Sequence, residues 1–427
     1  MNYAQNEKIM SITERTLVVG VDIAKTIHYA RVFDYRGIEL AKVFKFENSK
    51  EGLESFKEWI DSIAKEAGKS SSIVGMEPTG HYWLNLGHFL KDEGIRLVLV
   101  NPFHVKRSKE LDDNSPTKND RKDPKTIAKL VIDGRFSVPY IPVGIYSDLR
   151  IVMNVRDTIS NSLIRIKNRV IRWLDMYFPE FFEVFGSWEG KAALITLKEF
   201  PTPEKIIATG IDDIVATWKK EVQRGVGVKR ATSLMEAAKR SIGIKEGLRM
   251  AQKELRIIIQ QYDMYMGQLN EIEAEMEELA LQVPGVKEML TIKGVGITTA
   301  AGFMAEVGDI SRFSHPSQIQ KLAGLNLVEN SSGDHKGQTT ISKRGRSRLR
   351  SVLFKAIMPL VAKNDEFKLL HEHYTTRREN PLKKKQSLIL LCCKLIRIFY
   401  ALINKRVAYS PERLMKNISY LQLQDAA

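Results

Sequence analysis

The stretch Thr16–Asp22, TLVVGVD, decides the fold of the amino-terminal part of the chain. Its unbroken apolar run predicts a strand that is buried on both faces, with a carboxylate at its end. Alternating apolar residues predict a second strand at His28–Phe33, and AKVFKF predicts a third at Ala41–Phe46. Because the connecting turn contains Gly37, we expect these three strands to form an antiparallel meander.

The pattern then changes to strands that alternate with helices. We expect helices at Gly52–Glu66 and Tyr82–Lys91, and strands at Ser72–Met76 and Arg96–Val100. A polar stretch leads into a further helix that begins near Asp123-Pro124, where proline suits the first turn. Three antiparallel strands followed by alternating strands and helices predict an α/β fold with the strand order of an RNase H-like domain.

The remainder of the chain is predicted to be mainly helical. A long basic helix covers Ser147–Phe178, and residues 248–283 carry apolar side chains at alternating steps of three and four over about five heptads. We interpret this series as a coiled-coil seam that forms a two-helix arm or a dimer contact; packing within one subunit is the alternative. We therefore expect three domains, at residues 1–143, 144–283 and 284–427.

The third of these regions is predicted to be rich in α-helix. Within Leu290–Val307 the sequence indicates a helix, a Gly-Val-Gly turn and a second helix. This is the form of a helix-hairpin-helix, in which glycines allow backbone amides to approach a phosphate. A plain connection between two helices is the alternative.

The charge balance points to a polyanionic partner. The 427 residues contain 66 Lys and Arg against 51 Asp and Glu, a formal charge of +15, and nucleic acid is the commonest partner of such proteins. Three strips concentrate the excess, at 150–172, 335–364 and 376–397. A basic surface that binds nothing is the alternative. The candidate contacts are Lys336, Lys343, Arg344, Arg346, Arg348 and Arg350, with Arg165, Lys167, Arg169 and Arg172 on the long basic helix.

Compartment signals are few. The two cysteines, Cys392 and Cys393, are adjacent and cannot build a disulfide framework. The first residues lack the apolar segment of a signal peptide. Lys394 and Arg397 interrupt the most apolar late stretch, and charges at the centre of a bilayer are costly. We expect a cytoplasmic protein without a membrane span; the family resemblance described below further implies a bacterial, nucleoid-associated one.

Four carboxylates stand where chemistry is expected. Asp22 ends the first strand, Glu77 ends the fourth, and Asp120 and Asp123 stand three residues apart before the next helix. Neighbouring strands would bring Asp22 and Glu77 to the same edge of the sheet. Carboxylates this close repel each other unless a hard cation lies between them, and Mg²⁺ prefers such oxygen ligands. Ordinary solvated acids at strand ends are the alternative.

A second constellation lies in the carboxy-terminal region. Asn330-Ser331-Ser332-Gly333 precedes the arginine-rich Ile341–Arg350. A serine that attacks a phosphodiester needs a base to take its proton and cations to stabilise the growing negative charge. Guanidinium groups suit bidentate contact with phosphate. Read alone, Ser-Ser-Gly is usually a loop.

Together these residues resemble a known family. Asp22, Glu77, Asp120 and Asp123 are similar to the DEDD motif of bacterial transposases of the insertion sequence 110/1111 family. The segment Leu290–Met358, with its GVG, AGLNLVENSSG and ISKRGRSRLR motifs, resembles the carboxy-terminal transposase domain of that family.

The resemblance implies a RuvC-like amino-terminal domain whose four acids bind Mg²⁺. It also implies a serine that becomes covalently joined to DNA during strand exchange, which would be Ser332, with Ser331 open because of the doublet. A structured non-coding RNA that pairs with donor and target DNA is implied as well. We expect a homodimer or a tetramer, since neither half of the chain looks sufficient for strand transfer.

Two other functions stay open at this point. A metal-dependent RuvC-like junction nuclease would use water as the nucleophile, so that replacing Ser332 would leave cleavage intact. A non-catalytic basic nucleic-acid scaffold would tolerate replacement of Asp22 and Glu77.

Overall fold

The structure, a computed structural model, describes residues 3–112, 123–328, 331–332, 335–336 and 339–414. The chain divides after Ile141 into two compact units. The first unit is built on a mixed β-sheet, and the second is mainly helical. This division into an α/β part and a helical part confirms the fold class at that level.

The α/β unit contains a six-stranded sheet with the order β3-β2-β1-β4-β5-β6. The elements of this unit are α1 (Tyr3–Met10), β1 (Thr16–Asp22), β2 (Ile27–Phe33), β3 (Phe44–Glu47), α2 (Lys50–Glu66), β4 (Ser71–Met76), α3 (Trp83–Asp92), β5 (Arg96–Val100), α4 (Pro102–Asp112), α5 (Asp123–Ile132) and β6 (Phe136–Ser137). Strand β1 is parallel to β4, and β4 is parallel to β5. The pairs β1–β2, β2–β3 and β5–β6 are antiparallel. The order of the first five strands is the one expected for an RNase H-like sheet.

Helices cover both faces of this sheet. Leu17 and Val19 belong to the apolar cluster formed with α2 and α3. Val18 points to the other face and belongs to the cluster that includes Ile127 and Val131 of α5. Because successive strand residues face opposite sides, the continuous apolar run of β1 supplies both clusters. The sheet is therefore the middle layer of three.

Three details of this unit differ from the sequence expectation. β3 begins at Phe44 instead of Ala41, because the preceding residues bond the end of β2, where the Leu40 amide donates to the Val32 carbonyl over 3.0 Å. The polar stretch after β5 contains helix α4, whose first turn the Asn101 side chain caps by accepting from the Phe103 amide over 2.9 Å. Strand β6 has two residues, too few for an alternation of apolar residues to predict it.

The helical unit is organised around its two longest helices. Its elements are α6 (Ile145–Tyr177), α7 (Phe181–Val184), α8 (Lys191–Glu199), α9 (Pro203–Thr209), α10 (Ile211–Lys219), α11 (Val228–Lys239), α12 (Leu248–Gln282), α13 (Val286–Leu290), α14 (Ile297–Val307), a 3₁₀ turn (Ile310–Arg312), α15 (Pro316–Leu322), β7 (Leu327–Val328), β8 (Ser331–Ser332), β9 (His335–Lys336), β10 (Thr340–Ile341), α16 (Ser347–Lys363), α17 (Asp365–Thr376) and α18 (Lys384–Lys405). Helices α6 and α12 pack against each other along their length.

Two apolar cores form along this helix pair. One contains Trp173 and Ile258 with residues of α8, α10 and α11. The other contains Val152 and Met276 with residues of α13 to α18. Between them Arg156 of α6 pairs with Glu273 of α12 at 2.6 Å. The predicted 248–283 helix is therefore present as α12, and much of its apolar seam is buried within the same chain, as in the alternative interpretation; the dimer contact stays a prediction.

Helix α18 is the one helix in the described part of the chain that is long and apolar enough to cross a membrane by length and composition. Leu391, Leu395 and Phe399 on this helix are fully buried in the second apolar core. A core helix passes the same test of length and composition, so the helix is weak evidence for a membrane span.

Candidate active site

Strand register brings two of the predicted acids side by side. Val21 of β1 is opposite Met76 of β4 in the parallel pair, so the residues that follow, Asp22 and Glu77, are neighbours at the carboxyl edge of the sheet. Neighbouring strands lie about 5 Å apart. Both acids are half-buried. The hydrogen-bonded backbone fixes this juxtaposition.

A pair of glycines lets helix α5 approach the same two strands. Gly20 and Gly75 are opposite each other in the register, each two residues before an acid. A Cβ added at Gly20 would lie 1.9 Å from the Pro124 carbonyl oxygen, so the first turn of α5 rests directly on β1. Asp123, the first residue of α5, is consequently held beside the strand that carries Asp22.

The donor chemistry of this edge suits Mg²⁺, which prefers carboxylate oxygens and retains several waters. In the described part of the chain no three acidic, histidine or cysteine side chains are close enough together to hold a metal ion. Asp120, the fourth acid of the set, lies outside the described residues. The structure therefore places Asp22 and Glu77 together and Asp123 at the adjoining helix start.

The candidate serines lie in a nested β-hairpin. Strand β7 pairs with β10 at its base, and β8 pairs with β9 further out, with Ser331 opposite Lys336 and Ser332 opposite His335. The backbone thus puts both serines on the outer strand pair of the hairpin. The side chains of Ser331, Ser332 and Lys336 are outside the described residues.

The segment that follows the hairpin packs tightly on the turn before it. The Arg346 amide donates to the Leu322 carbonyl over 2.7 Å, and the Lys343 amide donates to Gly324 over 3.0 Å. A Cβ at Gly345 would lie 2.4 Å from the Leu322 carbonyl oxygen, so the backbones touch. These contacts fix both ends of the hairpin to the helical unit.

Of the four candidate arginines in Ile341–Arg350, three also make internal contacts. Arg346 bonds the Glu306 carboxylate at 3.2 Å, and Arg348 pairs with Asp157 of α6 at 2.5 Å. Arg350 donates to the Ala323 carbonyl over 2.9 Å. These side chains connect the start of α16 to α14, α6 and the turn before the hairpin, a positioning role that the sequence analysis did not anticipate. Lys343 and Arg344 are exposed.

Among the basic residues of α6, too, some make internal contacts and some are exposed. Lys167 pairs with Glu189 at 2.5 Å, and Arg169 donates to the Gln261 side chain over 2.9 Å. Arg165, Arg169 and Arg172 are exposed, and their spacing of four and three puts them on one face of the helix. This face is available for a polyanion.

The Gly-Val-Gly segment joins two helices as the sequence indicates. Helix α13 ends at Leu290, and α14 begins after Gly296. Gly294 has φ of +101°, a conformation that favours glycine, and a Cβ there would lie 3.2 Å from Leu360. The structure shows the helix–turn–helix connection; contact with phosphate stays a prediction.

Sequence reasoning missed the contribution of the glycines at the acidic edge. The signal was present: VGVD and VGME both place glycine two residues before the acid, at Gly20 and Gly75. A strand glycine marks a close approach of another backbone. Two of them in register would have predicted that the helix carrying Asp123 crosses here.

Comparison with known families agrees with this arrangement. The model of the DEDD transposase domain of IS110 elements matches residues 19–179, which include Asp22, Glu77, Asp120 and Asp123. A second model, described as the transposase IS116/IS110/IS902 family, matches residues 286–372, which include Ser331 and Ser332. Together the two matches cover more than half of the chain.

Individual relatives come from insertion elements. The transposase for insertion sequence element IS1111A of Coxiella burnetii is 23% identical over 401 residues, which are 92% of this chain and 91% of that protein. A 44.8 kDa protein of insertion element IS116 from Streptomyces clavuligerus is 23% identical over 297 residues, 69% of this chain and 73% of that protein. A 42 kDa protein of IS900 from Mycobacterium paratuberculosis is 21% identical over 224 residues, 52% of this chain and 55% of that protein.

The α/β fold with its acidic edge and the two matching domains define an insertion-sequence transposase. More narrowly, the chain belongs to the IS110 family of these enzymes.

Proposed function

We propose that this transposase cuts and rejoins DNA with a Mg²⁺-binding DEDD site and a serine nucleophile. The observation that carries the proposal is the register of β1 and β4, which makes Asp22 and Glu77 neighbours at one edge while α5 holds Asp123 beside it. Acids placed in this way by three separate elements are typical of metal-assisted phosphoryl transfer.

In this proposal each residue has a distinct role. Asp22, Glu77, Asp120 and Asp123 would hold Mg²⁺, and the bound ion would supply positive charge for the phosphate under attack. The Ser332 hydroxyl bonds to phosphorus and its proton passes to solvent, while the P–O bond to a deoxyribose oxygen breaks and that oxygen takes a proton from solvent. The cut strand is then held in a phosphodiester bond to the serine, from which it can be rejoined to a second strand. Ser331, its neighbour in β8, is the alternative nucleophile.

The position of the serines supports their assignment. They lie on the outer strand pair of a hairpin whose base is anchored by the Ser342–Asn326 and Lys343–Gly324 backbone bonds. A group on such a support can be presented to a large substrate without loss of its own position. Lys343 and Arg344 are exposed at the base of the hairpin, where they can contact the phosphates of bound DNA.

Nucleic acid is the proposed partner in two forms. DNA from the element ends and the target is the substrate, and the exposed arginines of α6 suit its phosphates or those of a structured guide RNA. We further propose action as a homodimer or a tetramer in the bacterial cytoplasm, at the nucleoid. For the functional domains we propose the boundaries that the sequence predicts, at residues 1–143, 144–283 and 284–427.

Cleavage of element-end DNA by the full chain, co-expressed with the RNA flanking its element and supplied with Mg²⁺, tests the acidic site. Asp22→Asn and Glu77→Gln should each lower strand cleavage about a hundred-fold or more, as expected when one transition-state stabiliser is lost. Asp92→Asn, an exposed acid at the end of α3, is the matched control and should cleave normally. Normal cleavage by both site variants would refute the proposal.

A junction nuclease is the second candidate, and one observation favours it. Asp22, Glu77 and Asp123 all belong to the α/β unit, which therefore contains three of the four acids without any residue of the helical unit. In that function water attacks the phosphate, so cleavage survives Ser332→Ala and Ser331→Ala. The transposase function requires one of these variants to lose strand exchange.

A further inference from the structure

A row of side chains crosses the sheet next to Asp22. In the antiparallel pairs Asp22 of β1 is opposite Tyr29 of β2, and Tyr29 is opposite Lys45 of β3. Residues directly opposite in antiparallel strands point to the same face. Lys45, Tyr29 and Asp22 therefore share one face in that order, and Glu77 follows Asp22 at the same edge.

The opposite face of β2 and β3 is closed. Ala30 and Val32 alternate with Tyr29 and are fully buried in the core with α2 and α3, and Phe46 stacks on Phe56 at a ring distance of 4.2 Å. Among the described residues, α5 covers the face that carries Tyr29 towards the end of β2, where Phe33 belongs to the cluster of Ile127 and Val131. Tyr29 is half-buried and Lys45 is exposed.

The open part of this face is a groove of about 780 Å³. Tyr29, Arg31 and Lys45 line its floor, and the loop residues Glu39 and Lys42 line its side. We call it the Tyr29 groove. The Arg31 guanidinium donates to the Glu39 carboxylate over 2.6 Å and lies over the Phe33 ring at 5.7 Å. The loop wall is thereby tied to the strand.

The charge left in the groove is positive. Arg31 and Glu39 compensate each other, whereas Lys42 and Lys45 are exposed among the residues that line it. A cationic surface directly beside an acidic edge has the polarity that one polynucleotide strand requires, with lysines for its phosphates and an aromatic side chain for its bases. The acids alone would repel the same strand.

We propose that the Tyr29 groove binds the DNA strand on one side of the phosphate that is cut, with Tyr29 stacked on a base and Lys45 and Lys42 on the backbone. This inference rests on the proposed DEDD function and extends it to substrate binding. Lys45 is two strands away from Asp22, about 10 Å, which corresponds to roughly three nucleotides at 3.4 Å of rise each. Tyr29 and Lys45 are thus positioning residues for the strand that reaches Asp22.

The binding test uses the full chain and a fluorescent single-stranded DNA oligonucleotide of mixed sequence, with affinity measured over a series of salt concentrations. Lys45→Gln should weaken binding and reduce the slope of log affinity against log salt by about 0.7, the value for one phosphate contact on a single strand. Lys91→Gln, an exposed lysine on α3 and outside the groove, is the matched control and should leave the slope unchanged. Equal slopes for the two variants would overturn the proposal.

The stacking test compares two replacements of one side chain. Tyr29→Ala should weaken binding about five-fold or more, because base–aromatic stacking is lost, whereas Tyr29→Phe keeps the ring and should bind almost normally. Photocrosslinking with an iodouracil-substituted strand should attach DNA to the peptide that contains Tyr29. Crosslinks that map only to other peptides would overturn the proposal. It would also be overturned if Tyr29→Ala weakened the binding of single-stranded RNA and left the binding of DNA unchanged.

The outcomes separate this inference from the function on which it rests. Asp22→Asn should lose cleavage and still bind the oligonucleotide, whereas Lys45→Gln should weaken binding and raise the protein concentration needed for half-maximal cleavage. If Asp22→Asn cleaves normally, the DEDD function fails. If Asp22→Asn is inactive and Lys45→Gln binds as Lys91→Gln does, only the groove assignment fails.

Discussion

Replacement of Gly20 by alanine tests how the acidic edge is built. The added Cβ would lie 1.9 Å from the Pro124 carbonyl oxygen and 2.8 Å from the Ala128 amide nitrogen, whereas distances below 3.0 Å are essentially never observed. Both neighbours are backbone atoms of α5, so the helix itself has to move by about 1 Å or more. Overpacking costs about 1–3 kcal/mol, and a clash with backbone belongs near the upper value.

The expected result is a loss of about 3 kcal/mol in the unfolding free energy of the α/β unit, or about 10 °C in its melting temperature for a unit of this size. Cleavage should fall as well, because Asp123 moves with the first turn of α5. Gly75→Ala is the matched comparison: its nearest neighbour is the Val131 Cγ2 methyl at 2.4 Å, which can shift, so the cost should be smaller, about 1 kcal/mol.

Thermal unfolding followed by calorimetry measures both variants, and strand cleavage follows the site. A Gly20→Ala protein with the melting temperature and activity of wild type would refute the close seating of α5 on β1. So would a Gly75→Ala protein that is the less stable of the two.

Three further predictions concern stability. Burial lowers the pKa of His28, so the folded state favours the neutral imidazole. The unfolding free energy should therefore be highest above the ordinary pKa of 6.5 and fall as the pH drops below it, a dependence that His28→Gln should reduce in denaturant titrations. Gly267→Ala, in the middle of α12 with nothing near its added Cβ, should raise the unfolding free energy by about 0.5–1 kcal/mol through helix propensity, and a loss of stability would contradict the open site. Glu306→Ala should lower the unfolding free energy by about 1–3 kcal/mol in chemical denaturation, because Arg346 and Arg348 lose a partner. Glu277→Ala, on the exposed face of α12, is the control and should change it little. Equal effects of the two variants would show that the Glu306 ion pairs do not stabilise the unit.

The strands and long helices were predictable from apolar periodicity. Strand β1 and strand β5 have the predicted limits, and α6 and α12 differ by no more than two residues at either end. Their patterns are long or continuous and are the kind that a period detects. Helix α4 is not predicted because its sequence is polar and shows no apolar period, although Asn101 can cap a helix and Pro102 suits a first turn.

The candidate site was predictable at the level of neighbouring strands. A parallel pair places its carboxyl ends at one edge, so Asp22 and Glu77 follow from the strand order alone. The opposition of Tyr29 and Lys45 required the register, since one residue of slip would turn both side chains to the other face. The internal partners of Arg346 and Arg348 come from helices remote in sequence, which no local pattern contains.

The covalent step is the most direct test of the account. The full chain, with its RNA, Mg²⁺ and labelled element-end DNA, should yield a protein–DNA adduct that survives denaturation, and peptide mass spectrometry should place the strand on Ser332. Ser332→Ala should abolish the adduct, and an adduct lost only in Ser331→Ala would move the assignment by one residue. Cleavage of the DNA by wild type without any linked peptide would contradict serine chemistry and favour the junction nuclease.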